Sequence, residues 1–119
     1  MKAITQLLSR RLPKWYRNRE EAKLAWARRY SDSEWEQVER FLLLFCDAFL
    51  LRRSGASHLY PDDKPMKIYQ EIFRFWPVDD LQFPFLHKTL AREYGVDVPM
   101  ADFERQTLGE LYDRVRHNG

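Results

Sequence analysis

The sequence predicts an all-α fold, a small helical bundle. Three observations lead to it. Apolar residues recur at three- and four-residue spacings through most of the chain, as on the buried stripe of a helix. No stretch alternates apolar and polar residues as a half-buried strand would. Helix signals such as Ser31-Asp32-Ser33-Glu34, Pro13, Pro77 and Gly95 fall at helix-length intervals. At 119 residues the chain has the size of one domain. Such a chain buries about two-thirds of its unfolded surface, so it needs no metal or disulfide to be stable. Its 45% hydrophobic and 15% aromatic residues supply the core and argue against disorder.

The elements follow in order. A first helix is expected over 3–12, with Ile4, Leu7, Leu8 and Leu12 on one face, stopped by Pro13. Asn18 and Glu21 stand in the capping-box relation and open a second helix through Leu24, Ala27 and Tyr30. Ser31 with Glu34 and Ser33 with Glu36 are overlapping start signals for a third helix. Trp35, Val38, Phe41, Leu42, Phe45 and Phe49 form its stripe, and from Phe41 to Leu51 only Asp47 is polar. A helix this apolar must be covered on more than one face, by the rest of the chain, by a dimer mate or by a partner. Arg52 to Pro65 reads as a loop. A short helix over 66–75 buries Ile68, Tyr69, Ile72 and Phe73 before Pro77. A further helix over about 80–94 turns Leu81, Phe85, Leu86, Leu90 and Tyr94 inward and ends at Gly95. The last covers about 107–117, with Leu108, Leu111, Tyr112 and Val115 inward.

The formal net charge of +2 conceals an asymmetry. Residues 1–30 carry nine Lys or Arg against two Glu, whereas residues 31–119 carry eleven against sixteen acidic residues. The sequence therefore divides into a basic amphipathic extension, 1–30, and a mildly acidic helical body, 31–119. The single Cys46 excludes an internal disulfide and suits a reducing compartment. Residues 1–8 lack an apolar core and a small-residue cleavage site, and no apolar run is long enough to span a bilayer. The expected location is cytoplasmic.

From Val78 to Val115 the chain reads Asp79-Asp80-Leu81, a helical run, Gly95-Val96-Asp97-Val98-Pro99, then Thr107-Leu108-Gly109-Glu110-Leu111. With the long helix and loop before it, this order resembles an acyl carrier protein over residues 33–117. It is also similar to short uncharacterised bacterial proteins that are divergent carrier relatives, several without the carrier serine. The resemblance implies a bundle of acyl-carrier-protein type with one or two extra N-terminal helices. In carriers the serine of Asp-Ser-Leu holds a phosphopantetheine arm. Here that position is Asp80, and no serine follows Ser57. A carboxylate cannot form the phosphodiester, so no cofactor is expected. Pro84 sits early in the helix, and His87, Lys88 and Arg92 oppose Glu93 where carriers present an acidic surface. What the resemblance leaves is a docking surface for a protein partner around Asp79, Asp80, Leu81, Phe83 and Phe85.

Catalysis is not indicated. Asp79 and Asp80 are neighbours that do not share a helix face, and carboxylates at a helix start complement its dipole. His58 with Asp62 and Asp63 lacks a metal-loop spacing and reads as turn material, so no metal is expected. Cys46, among Phe45, Phe49 and Leu50, reads as a buried thiol. The four glycines form no phosphate loop. The expected function is thus a non-enzymatic interaction module docking on a protein partner. The alternative is anion binding, to nucleic acid or a membrane surface, by Arg10, Arg11, Lys14, Arg17 and Arg19 with Trp15 and Tyr16 among them. In a third reading Trp15 and Tyr16 fold back on the core and those charges are merely solvated.

Overall fold

A computed structural model describes residues 11–72 and 82–116. The fold is all-α, and no strand occurs among the described residues. The helices are α1 (Lys14–Arg17), α2 (Lys23–Arg29), α3 (Trp35–Ala48), α4 (Pro65–Ile72), α5 (Gln82–Tyr94), α6 (Met100–Arg105) and α7 (Leu108–Arg116). Two 3-10 segments join them, Asp32–Glu34 leading into α3 and Arg53–His58 following it. Among the described residues, no helix is long and apolar enough to cross a membrane.

Helix α3 is the axis of the molecule. Val38, Phe41, Leu42, Phe45, Cys46 and Ala48 are buried along it, while Leu43 and Leu44 are partly exposed. The 3-10 helix 53–58, α5, α2 and α7 do the covering. Its end is a Schellman turn, in which Leu51 N–H donates to the Cys46 carbonyl (2.8 Å) and Leu50 N–H to that of Asp47 (3.3 Å). Leu50 takes the left-handed position there, with φ 56°, at a steric cost that glycine would not incur. Gly95 ends α5 as expected: its φ is +69° and its N–H donates to the Ala91 carbonyl (2.9 Å).

Other helix ends differ from the sequence expectation. Pro13 caps the start of α1, with its carbonyl accepting from Tyr16 and Arg17 N–H. The Asn18–Glu21 capping box does not form. Helix α2 starts at Lys23, and the Ala22 N–H donates to the Ser57 carbonyl (2.7 Å), a tertiary partner. Ser31 and Ser33 bond to each other (2.9 Å) and cap nothing, so α3 is entered through the 3-10 turn. A capping box does open α7, where Thr107 and Glu110 exchange backbone-to-side-chain bonds of 3.0 and 3.2 Å. Helix α6 lies where only a connector was expected.

The buried core includes residues from both sides of residue 30. Leu12, Tyr16, Ala22 and Trp26 join the same buried cluster as α3, α5 and α7. Trp26 stacks on Tyr30 (6.1 Å), meets Tyr112 edge-on (5.9 Å), and donates its indole N–H to the Leu59 carbonyl (2.7 Å). Tyr112 in turn packs on Phe41. Residues 11–30 therefore form one wall of the core. The expected helix over 3–12 falls largely on residues outside those described.

The Trp26 indole bond gives a direct test of this docking. Trp26→Phe keeps an aromatic ring but leaves the Leu59 carbonyl without its buried donor. Denaturant unfolding should show a loss of about 1–3 kcal/mol, and a loss below about 0.5 kcal/mol would refute the structural role given to that bond.

Candidate anion-binding cleft

Three of the sequence-derived partner residues, Asp79, Asp80 and Leu81, and the basic residue Arg10, lie outside the described residues. Phe83 is corrected: it is buried, not part of a recognition surface. Its ring meets Phe49 and Tyr69 (5.2 Å each) and Phe103 (6.1 Å). The inward face of α5 is Phe83, Leu86 and Leu90, set by three- and four-residue spacing. Phe85 falls on the other side and is 46% exposed, so its expected core position is corrected too.

The basic residues divide sharply. Arg19 is not available to an external anion. Its Nη1 and Nη2 donate to the two carboxylate oxygens of Asp63 (2.9 and 2.6 Å), and Nη2 also donates to the His58 carbonyl (2.7 Å). The guanidinium lies 4.2 Å from the centre of the Tyr60 ring and 4.9 Å from those of Trp15 and Tyr16. His58 answers by donating from Nδ1 to the Arg19 carbonyl (3.0 Å). Tyr16 is buried beneath, and that burial, with the Glu71 and Asp63 carboxylates, pushes its hydroxyl up to about 12. Asp63 thus serves as a counter-charge to Arg19.

Arg11 and Arg17 do come together. With Leu12, Arg52, Ser54, Gly55 and His58 they line a cleft of about 270 Å³ between the N-terminal segment and the 3-10 helix 53–58. No carboxylate is among those lining residues. Arg17 is pinned by its Nε, which donates to the Leu12 carbonyl (2.7 Å), so its two terminal nitrogens remain free to meet a ligand. Lys14 is exposed but does not line the cleft. Trp15 is 64% exposed, so of the two aromatics in this segment only Tyr16 folds into the core.

The charge pattern singles this cleft out. Of the twelve described arginines, eight are in ion pairs with carboxylates. The others are Arg11, Arg17, Arg28 and Arg52, and three of these four line the cleft. Arg52 and Arg53 show the contrast side by side, since Arg53 is held by Asp47 at 2.8 Å. A larger groove of about 410 Å³, lined by Glu34, Gln37, Arg40, Tyr94, Tyr112, Val115 and Arg116, is internally neutralised. There Arg116 pairs with Glu34 and Arg40 with Glu93. The Arg116 hydrogen bond holds the Glu34 carboxyl below its usual range.

Reading the sequence missed Arg52, Ser54 and His58 as partners of the basic segment. The Arg52-Arg53 pair was visible, but nothing local says that one is neutralised and the other is not. Cys46 is fully buried and its burial pushes the thiol up to about 12, so it is not a nucleophile at neutral pH.

Asp63→Asn should cost about 3 kcal/mol in denaturant unfolding, because it leaves the enclosed Arg19 guanidinium without its counter-charge. Adding Arg19→Gln should recover part of that loss. Strictly additive effects in this double-mutant cycle would show that the two groups do not interact.

Compared with models of protein families, with curated proteins and with solved structures, the chain shows no match.

Proposed function

We propose that this protein is a non-enzymatic binding module whose partner is anionic, held at the cleft of Arg11, Arg17 and Arg52. The observation that carries the reading is the concentration of unpaired guanidiniums around one concavity. Guanidinium forks match phosphate oxygens in geometry, and like charges gathered without a counter-ion favour an anion between them. Exposed Trp15 adds an aromatic surface that can stack on a base or enter a headgroup layer. Polyanions of either kind, a nucleic-acid backbone or an anionic membrane surface, suit this arrangement.

A second reading is carrier-like docking on a protein partner. Two observations favour it. A long helix α3, then α5 and α7, come in the order on which the carrier resemblance rests, with α4 and α6 between them. Phe85 is also exposed near the start of α5, where that resemblance places a docking surface.

For the anion reading, binding of a fluorescent single-stranded polynucleotide or of anionic vesicles should weaken steeply with salt. On the polynucleotide, three guanidinium contacts give a slope of about −2 in log K against log salt. Replacing Arg11, Arg17 and Arg52 together by Gln should abolish binding, whereas salt-insensitive binding, or binding kept by the variant, contradicts the reading. For the docking reading, a partner captured by the wild-type chain and identified by mass spectrometry should lose affinity by about tenfold on Phe85→Ala, a value typical of an aromatic anchor. Unchanged affinity removes Phe85 from that surface.

A further inference from the structure

We propose that the cleft receives a terminal phosphate monoester, rather than the internal diesters of a polyanion backbone. This deepens the anion-binding reading and rests on it.

The cleft is lined from two sides. Arg11 and Arg17 come from the N-terminal segment, while Arg52 precedes the facing 3-10 helix and His58 is its last residue. All four line the same concavity. Its floor includes Leu12, which is 1% exposed, and the buried Gly55. A group that ends there fits such a basin better than a chain that must pass through it. A backbone diester also needs further cations for its next phosphates. Among the described arginines that neighbour the cleft in sequence, Arg19 is committed to Asp63 and Arg53 to Asp47.

Charge and donor count point the same way. A phosphate monoester carries between one and two negative charges at neutral pH and offers three acceptor oxygens. Three guanidiniums with no carboxylate among the lining residues exceed what one diester charge would balance. The terminal nitrogens of Arg17 are free once its Nε is tied to the Leu12 carbonyl, and the Ser54 hydroxyl adds a neutral donor. The volume of about 270 Å³ lies just under the usual range for small-molecule sites, which suits a phosphate with a small part of its carrier molecule.

The test compares phenyl phosphate with methyl phenyl phosphate, which share a ring and differ in charge and in having a terminal phosphate. Calorimetric titration of the full chain at low salt should show the monoester binding at least about tenfold more tightly. Arg52→Gln and Arg11→Gln should each reduce that preference with an unchanged circular dichroism spectrum, because both side chains are exposed and unpaired among the described residues. Equal affinities for the two esters, or a preference that survives both substitutions, overturn the inference. An oligonucleotide with a 5′-phosphate, compared with its 5′-hydroxyl counterpart, separates this failure from failure of the anion reading. Tight, salt-dependent and equal binding of both overturns the monoester inference and leaves the polyanion reading standing. No binding of either oligonucleotide or either ester overturns both.

Discussion

Asp63 is a carboxylate only 8% exposed, and a charge so enclosed persists in a folded protein only with a matched partner. Arg19 supplies that partner from 44 residues away, and the Tyr60 N–H adds a third hydrogen bond (2.8 Å). The short segment around this pair then organises both ends of the described chain. The carbonyls of Ser57, His58 and Leu59 accept from Ala22 N–H, Arg19 and the Trp26 indole, all from the N-terminal side. Those of Pro61 and Asp63 accept from the N–H groups of Gly109 and Leu108 at the start of α7, each at 2.8 Å. Gly109 allows that approach, since a Cβ there would lie 3.1 Å from Pro61 Cβ and 3.0 Å from the Arg29 guanidinium. A buried loop must find partners for its backbone, and here it finds them in two remote helix starts.

The same ion pair shapes the proposed function by subtraction. The N-terminal segment is rich in cations, yet its most enclosed arginine is spent on holding that segment against the core. Of its unpaired arginines, Arg11 and Arg17 thereby line one cleft together with Arg52. Among the described residues outside the cleft, every arginine but Arg28 is paired with a carboxylate, as Arg29 is with Asp113, Arg114 with Asp102 and Arg116 with Glu34. Among the described residues, unneutralised guanidiniums therefore gather at one concave place, and the hydrogen bond that anchors Arg17 reduces the entropy that side chain would lose on binding an anion.

Helix α5 shows how a small shift in assignment changes a functional argument. Phe83 and Phe85 are two residues apart, and on a helix that separation places them on different faces. Phe83 completes an aromatic contact set with Phe49, Tyr69 and Phe103, while Phe85 faces outward. A surface drawn through both cannot exist, so the carrier-like docking reading keeps Phe85 alone of the two.

The sequence by itself determined the helical class, the central role of α3, the end of α5 at Gly95 and the inward faces of α3 and α7. These are local matters: a 3.6-residue apolar period and a glycine able to take positive φ act within a few residues of chain. The Thr107–Glu110 capping box is an equally local four-residue pattern, although the sequence places the last helix by its apolar positions and not by that box. Tertiary structure decided the rest. It drew the Asn18–Glu21 signal away from capping because the Ala22 N–H had a better-placed acceptor in Ser57. It turned the segment after α3 from a surface loop into a hydrogen-bonded junction. It also decided which arginines are neutral pairs and which are free. Pairing depends on which side chains meet in space, across separations of 44 residues for Arg19 with Asp63 and 84 for Arg29 with Asp113, and no local pattern encodes that meeting.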